Sequence, residues 1–164
     1  MSNVSDDLIL SNFSLVGDTV FRSSTGLPAT FMCNKGYMYT VCKKNTVYLH
    51  RIVWVLLNGP IPAGMEIDHI NGNPSDNQIG NLRLCDRFQN CQNVKRRKDN
   101  SSGVKGAFFD SFSKTWRGCV SFKKKRHYTP RFKTLEETRV AVEALRLQLH
   151  GEFCNHGLNQ KEAA

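Results

Sequence analysis

No apolar run in this chain approaches the roughly 20 residues that a membrane-spanning helix needs, and no apolar segment of signal-peptide type stands at its start. No membrane partner is therefore expected. Close-spaced cysteine pairs are also missing: Cys33, Cys42, Cys85, Cys91, Cys119 and Cys154 are scattered, with no Cys-x-x-Cys. That spacing argues against a disulfide framework and predicts free thiols in a reducing cytosol. It also disfavours structural zinc, because a site would have to join Cys85 and Cys91 to a distant pair. Acidic residues are the third shortage. There are 14 Asp and Glu against 23 Lys and Arg, giving a formal net charge of +9 and a pI near 9.5. A polyanionic partner, most simply nucleic acid, follows from that balance.

The charge is unevenly placed. From Cys91 to Lys133 thirteen basic residues face only Asp99 and Asp110, so the remainder of the 164-residue chain is slightly acidic. A basic binding half joined to a half with different work is the organisation this predicts.

Residues 1–12 are polar and mixed, and read as a loose arm or a short edge element. From Phe13 to Tyr48, short β runs alternate with turn residues. Tyr37–Cys42 and Val47–Leu49 flank Lys-Lys-Asn as a hairpin. The period then changes: Leu49, Ile52, Val53 and Leu56 fall at helical spacing, and Asn58-Gly59-Pro60 stops the helix. His50 and Arg51 stand at its start, either touching a phosphate or a catalytic loop, or serving as a satisfied polar pair. Trp54 reads as core.

The informative stretch is Glu66-Ile-Asp-His-Ile-Asn-Gly72, continuing to Asn90. A strand carries Asp68 and His69, an Asn/Gly/Pro-rich loop follows, and Leu82-Arg-Leu-Cys85 makes a second strand. Asp86 and Gln89 have capping-box spacing for a helix to about Arg97. A carboxylate beside an imidazole suits metal-assisted phosphodiester hydrolysis, with the acid holding a divalent cation and the imidazole taking a proton from water. As strand neighbours the two would point to opposite faces unless the strand twists or ends there.

Leu49-His-Arg-Ile-Val-Trp54, Asn58-Gly-Pro-Ile-Pro62, Ile67-Asp-His-Ile-Asn-Gly72, Asn77, Asn81-Leu-Arg-Leu84 and Gln89-Asn90 together resemble the HNH endonucleases, in particular the phage homing type with its ββα-metal finger. The resemblance spans roughly residues 36 to 97. It implies His69 as general base, Asn81 as the residue orienting the imidazole, and Asp68 and Asn90 as ligands of one Mg²⁺ or Mn²⁺. Many HNH enzymes have histidine where this chain has Asn90, and the carboxamide favours oxygen-preferring Mg²⁺ over Zn²⁺. Arg51, Arg83 and Arg87 are candidate phosphate contacts.

Val94-Lys-Arg-Arg-Lys-Asp-Asn-Ser-Ser-Gly103 reads as a basic, flexible linker in which Lys95, Arg96, Arg97 and Lys98 could track a DNA backbone. Three strands follow, then a helix from a Thr134/Glu137 capping box to about His150, with an apolar stripe of Ala141, Ala144, Leu145 and Leu149. Trp116, Gly118, Val120 and Phe122 would face the helix. Arg117, Cys119, Ser121 and Lys123, with Lys105, Lys125 and Arg126, would form an exposed basic face fit for a major groove. Ser102-Gly-Val-Lys-Gly106, Lys114-Thr-Trp-Arg117, Phe132-Lys-Thr-Leu-Glu-Glu137 and His150-Gly-Glu-Phe153 are similar to the ethylene-response-factor (APETALA-type) DNA-binding domain. Tyr128-Thr-Pro-Arg131 departs from it, so the third strand is expected to end early or bulge.

The expected architecture is α+β: a nuclease domain over residues 1–93 with its N-terminal β region, a linker over 94–103, a three-stranded sheet plus helix over 104–157, and a tail over 158–164. The expected activity is metal-dependent hydrolysis of duplex DNA by a monomer or weak dimer in a cytoplasm, that of a bacterial host if the chain is phage-encoded. A non-catalytic DNA-binding regulator on a nuclease scaffold is the alternative, and an RNA-directed protein is a weaker one, since the aromatics alternate towards the core.

Overall fold

Ser5 opens the first helix, α1 (Asp6–Asn12), by accepting a hydrogen bond from Leu8 N through its side chain. Asp6 and Asp7 in the first turn suit the positive end of the helix dipole, and Ile9 is fully buried. The expectation of a loose arm is therefore corrected: cap, dipole and one buried isoleucine suffice for a short helix. Asp6 also accepts from Ile61 N at 2.8 Å and pairs with Arg51 at 3.5 Å, tying α1 to the helix that follows the β region. The computed structural model describes residues 4–94, 96–97 and 99–157, and these fall into two compact units divided between Arg87 and Phe88.

In the first unit β1 (Phe13–Val16) and β2 (Thr19–Arg22) form a hairpin, and β3 (Met32–Asn34), β4 (Tyr37–Cys42) and β5 (Asn45–Tyr48) form an antiparallel meander. The two-residue turn between β4 and β5 is Lys43-Lys44, both residues at positive φ, a conformation costing an L residue about 1 kcal/mol. Helix α2 (Leu49–Asn58) buries Ile52, Val53 and Val55, and ends at Gly59, whose φ of 82° needs a residue without a Cβ. Phe13, Val20, Val47, Ile52, Ile67 and Leu82 meet in one core, each contributing roughly 1.5–3 kcal/mol by burial. Trp54 packs, partly buried, against it.

After α2, β6 (Glu66–His69) pairs antiparallel with β7 (Leu82–Cys85), setting Asp68 opposite Arg83 and His69 opposite Leu82. Strand β6 stops at His69, where Gly72 N bonds His69 O at 2.8 Å and the chain turns.

Helix α3 (Arg87–Gln92) begins at the division and is shorter than its sequence suggests, stopping at Gln92. Asn93 is buried, and its carbonyl and side-chain oxygens accept from Asn155 Nδ2 at 3.2 and 2.9 Å, bonds that hold it outside the helix. In the second unit β8 (Ala107–Asp110), β9 (Thr115–Phe122) and β10 (Lys125–Phe132) form a sheet with β9 central. The register shifts between Tyr128 and Arg131, so β10 bulges and continues; Gly118 N bonds Thr129 Oγ1 at 2.8 Å, and Pro130 sits on an edge strand.

Helix α4 (Leu135–His150) starts at the expected capping box, with Glu137 N donating to Thr134 Oγ1 at 3.2 Å and Thr134 N to Glu137 Oε2 at 3.0 Å. Its covered stripe is Thr138, Val142 and Arg146, while Ala144 is exposed, so the stripe is rotated from the one its small apolar residues suggest. The cause lies in the sheet. A Cβ on Gly118 would come within 2.7 Å of Val142, so the glycine admits that valine. Arg146 is buried because it donates to Lys105 O and approaches His156 Nδ1 at 3.3 Å.

Candidate active site

His69 ends β6 with its side chain buried beside Asp68, also buried. The loop that follows is held by its own carboxamides: Asn73 N bonds Asn71 Oδ1 at 2.8 Å, Asn71 Nδ2 bonds Asp76 Oδ2 at 2.8 Å, and Asn77 Nδ2 bonds Ser75 O at 3.1 Å. That last bond fixes the Asn77 amide so that Oδ1 turns to His69 Nε2, 3.3 Å away. A carboxamide oxygen only accepts, so in this bond Nε2 is the donor.

The carboxamide bonded to this ring nitrogen is that of Asn77. Asn81 Oδ1 instead accepts from Asn71 N at 3.0 Å, and its Nδ2 donates to Asn71 Oδ1 and Asp76 O at 3.1 and 2.8 Å. It closes the loop that carries Asn77. A second support comes from the meander. Ser75 Oγ donates to Gly36 O at 2.9 Å, and a Cβ on Gly36 would come within 2.8 Å of Pro74, so the loop seats on the β3–β4 turn only because that residue is glycine.

Aromatic rings surround the imidazole. His50 lies edge-on to His69 with centroids 5.1 Å apart, Tyr37 edge-on at 6.0 Å, and Tyr48 stacks on His50 at 5.6 Å. Burial, with lesser effects of His69 and Arg51, pushes the His50 pKa down to about 3, and its Nδ1 has no hydrogen-bond partner. Tyr37 and Tyr48 escaped notice in the sequence because strand tyrosines are ordinary. His50, at the helix start beside Arg51, was the available signal.

Asp68 Oδ2 accepts from Arg83 Nε and Nη2 at 3.1 and 2.9 Å, the product of their cross-strand pairing. Arg83, expected on phosphate, grips the carboxylate. Among the described residues no three His, Cys, Asp or Glu side chains gather as a metal site. The donors on hand are a carboxylate and carboxamides, which suit a hard, oxygen-seeking cation that keeps part of its water shell. Asn90 is a half-buried residue of α3.

The other expected contacts are spread out. Arg51 pairs with Asp6, Arg87 is exposed, Arg96 donates to Gly103 O, and Arg97 pairs with Asp99 at the surface. Lys95, Lys98 and the tail 158–164 lie outside the described residues. Lys105 is not a free cation: its Nζ donates to Val94 O and Asn155 O, and burial, with Arg146 adding to it, lowers its pKa to about 8. On β9, Arg117 lies over the Tyr128 ring at 4.5 Å and donates to Thr129 O. Arg126 pairs with Ser121 on that same open face, whereas Lys125 pairs with Phe122 on the helix side; Lys123 is exposed beside Phe122.

Residues 47–92, from β5 through α3, match the family model described as HNH endonuclease. It is also 41% identical over 104 residues to "Protein 3.8" of Escherichia phage T7, an alignment covering 63% of this chain and 85% of that protein. The chain belongs to one family with that phage protein. No solved structure matches it, and no helix among the described residues is long and apolar enough to cross a membrane.

Proposed function

We propose that the protein is a metal-dependent endonuclease that hydrolyses phosphodiester bonds in duplex DNA, its second unit binding the duplex as an ethylene-response-factor-like module. The observation that carries this reading is the hydrogen bond between His69 Nε2 and Asn77 Oδ1, in an amide itself held by Ser75 O, which orients the imidazole as a general base for the attacking water requires. Asp68 supplies a carboxylate for Mg²⁺ or Mn²⁺, and Asn90 is assigned as a further oxygen donor from the HNH resemblance alone. A bound divalent cation supplies charge stabilisation at the scissile phosphate and the departing 3′ oxygen. The products are 5′-phosphate and 3′-hydroxyl ends. Tyr37, Tyr48 and His50 wall the imidazole and keep its ring in place.

One observation favours the alternative, a DNA-binding regulator that cuts nothing: Arg83 holds Asp68 Oδ2 twice and offsets charge that a cation would use. Plasmid cleavage with Mg²⁺, Mn²⁺ or EDTA, run beside His69→Ala, separates the two. Metal-dependent nicking or linearisation lost by at least about 100-fold in the variant, with DNA affinity kept, is the expected result. Inactivity of the unaltered chain on DNA of its own source, with binding intact, would transfer the reading to the regulator.

A further inference from the structure

Six described residues other than glycine hold φ in the left-handed region, and all six are lysines: Lys35 (51°), Lys43 (46°), Lys44 (67°), Lys114 (53°), Lys123 (47°) and Lys124 (65°). Asparagine and aspartate take this conformation more readily, because a short polar side chain can bond locally; lysine has no such offset. The chain has many asparagines and puts none of its described ones there. Every one of the six stands at a hairpin tip, between β3 and β4, β4 and β5, β8 and β9, or β9 and β10. All are exposed, and among the described residues none pairs with a carboxylate, whereas Arg51, Arg83, Arg97, Arg131 and Arg139 do.

Both meanders therefore carry the same pattern, one lysine at the first tip and a lysine pair at the second. Turn chemistry does not account for the three two-residue tips, since Asn-Gly builds the same turn with less strain. What lysine adds is an unpaired cation on a long stem, and strain kept at exposed positions points to function.

We propose that these tips are phosphate contacts: the central strand of each meander lies against duplex DNA, and the lysines at its ends take backbone phosphates. The eight residues of β9 span roughly 26 Å and the six of β4 roughly 20 Å. Both exceed the roughly 12 Å width of a major groove, so each strand's tips can reach phosphates bordering it. This rests on the reading of the protein as one that acts on DNA, and it extends the DNA contact to Lys35, Lys43 and Lys44 of the nuclease unit. The Lys35 tip adjoins the site directly, because its neighbour Gly36 receives Ser75 and Tyr37 borders His69.

The test measures binding of the full chain to a short DNA duplex in EDTA over a range of salt, together with thermal unfolding. Lys43→Asn/Lys44→Gly removes charge and strain, Lys43→Gln/Lys44→Gln removes charge alone, and Lys43→Arg/Lys44→Arg keeps both. The first two should flatten the slope of log affinity against log salt by about 1.8, two phosphate contacts, and bind about tenfold more weakly in low salt. Only the Asn-Gly variant should also unfold at a higher temperature. Unchanged slope and affinity in the charge-removing variants would overturn the inference while leaving a DNA-acting protein. An equal loss in the arginine variant would overturn it too, as would tighter binding of the unaltered chain to an RNA duplex. Failure of the unaltered chain to bind DNA at all would instead overturn the reading beneath it.

Discussion

In the first unit the meander β3–β4–β5 sets Tyr37 and Tyr48 against His50 and receives the asparagine-rich loop after His69 at Gly36. In the second, β8–β9–β10 turns Gly118 and Val120 to a helix and leaves Phe108, Arg117 and Tyr128 on its open side. The strand order and lysine tips are alike. What differs is what packs beside the sheet: the first meander also braces a buried imidazole, and the second is backed by a helix. A three-stranded meander too small to be stable alone gains its role from the element that completes its core.

Replacing Asn77 with alanine should strike hardest at this division, since it touches the first unit alone. Cleavage should fall about 10- to 100-fold with DNA affinity unchanged, because the imidazole loses the carboxamide that orients it. Asn81→Ala should act mainly on stability, by about 1–3 kcal/mol, since the partners of its amide are left unbonded. Should Asn81→Ala slow cleavage more than Asn77→Ala at equal folded fraction, the roles given to the two would be reversed.

Acid should separate the units next. His50 has a folded pKa near 3 against 6.5 for the ordinary group, so the folded state resists a proton that the unfolded chain accepts. Its contribution is intact above pH 6.5 and is lost as pH falls towards 3, by a few kcal/mol at most. Acid unfolding followed by tyrosine and histidine NMR signals should show the first unit weakening over that window, and His50→Phe should flatten the dependence. An unaltered acid profile in His50→Phe would place the titrating group elsewhere.

The smallest expected effect belongs to the second unit. Gly118→Ala would bring a Cβ within 2.7 Å of Val142 and 2.8 Å of Thr129, and should destabilise by about 1–3 kcal/mol. Its signature is a lower unfolding midpoint with His50 and His69 signals unmoved. An unchanged midpoint would mean that sheet and helix can part without loss.

Short-range signals were the readable ones. The change of period at Leu49, the Gly59-Pro60 stop and the Thr134/Glu137 box act within one or two turns, and the structure has each where the residues put it. The β6–β7 hairpin with Asp68 and His69 on one strand was also legible. Long-range choices were not. Asn71, Asn73, Asn77 and Asn81 have the same turn propensity, and loop closure alone decides which amide reaches the imidazole. Arg83 meets Asp68 through strand register, and Arg146 is buried because Gly106 leaves room for its guanidinium and the Lys105 carbonyl, 41 residues away, accepts from it.

The bonds between Asn155 and Asn93, with Lys105 bridging Val94 and Asn155, bring the stretch before β8 and the stretch after α4 to one place. A module whose entry and exit meet behaves as a cassette: it can be spliced into, or out of, a longer polypeptide without pulling apart what flanks it. The same closure makes it a good candidate for circular permutation, with new ends at an exposed tip and the old ones joined where the chain already holds them together.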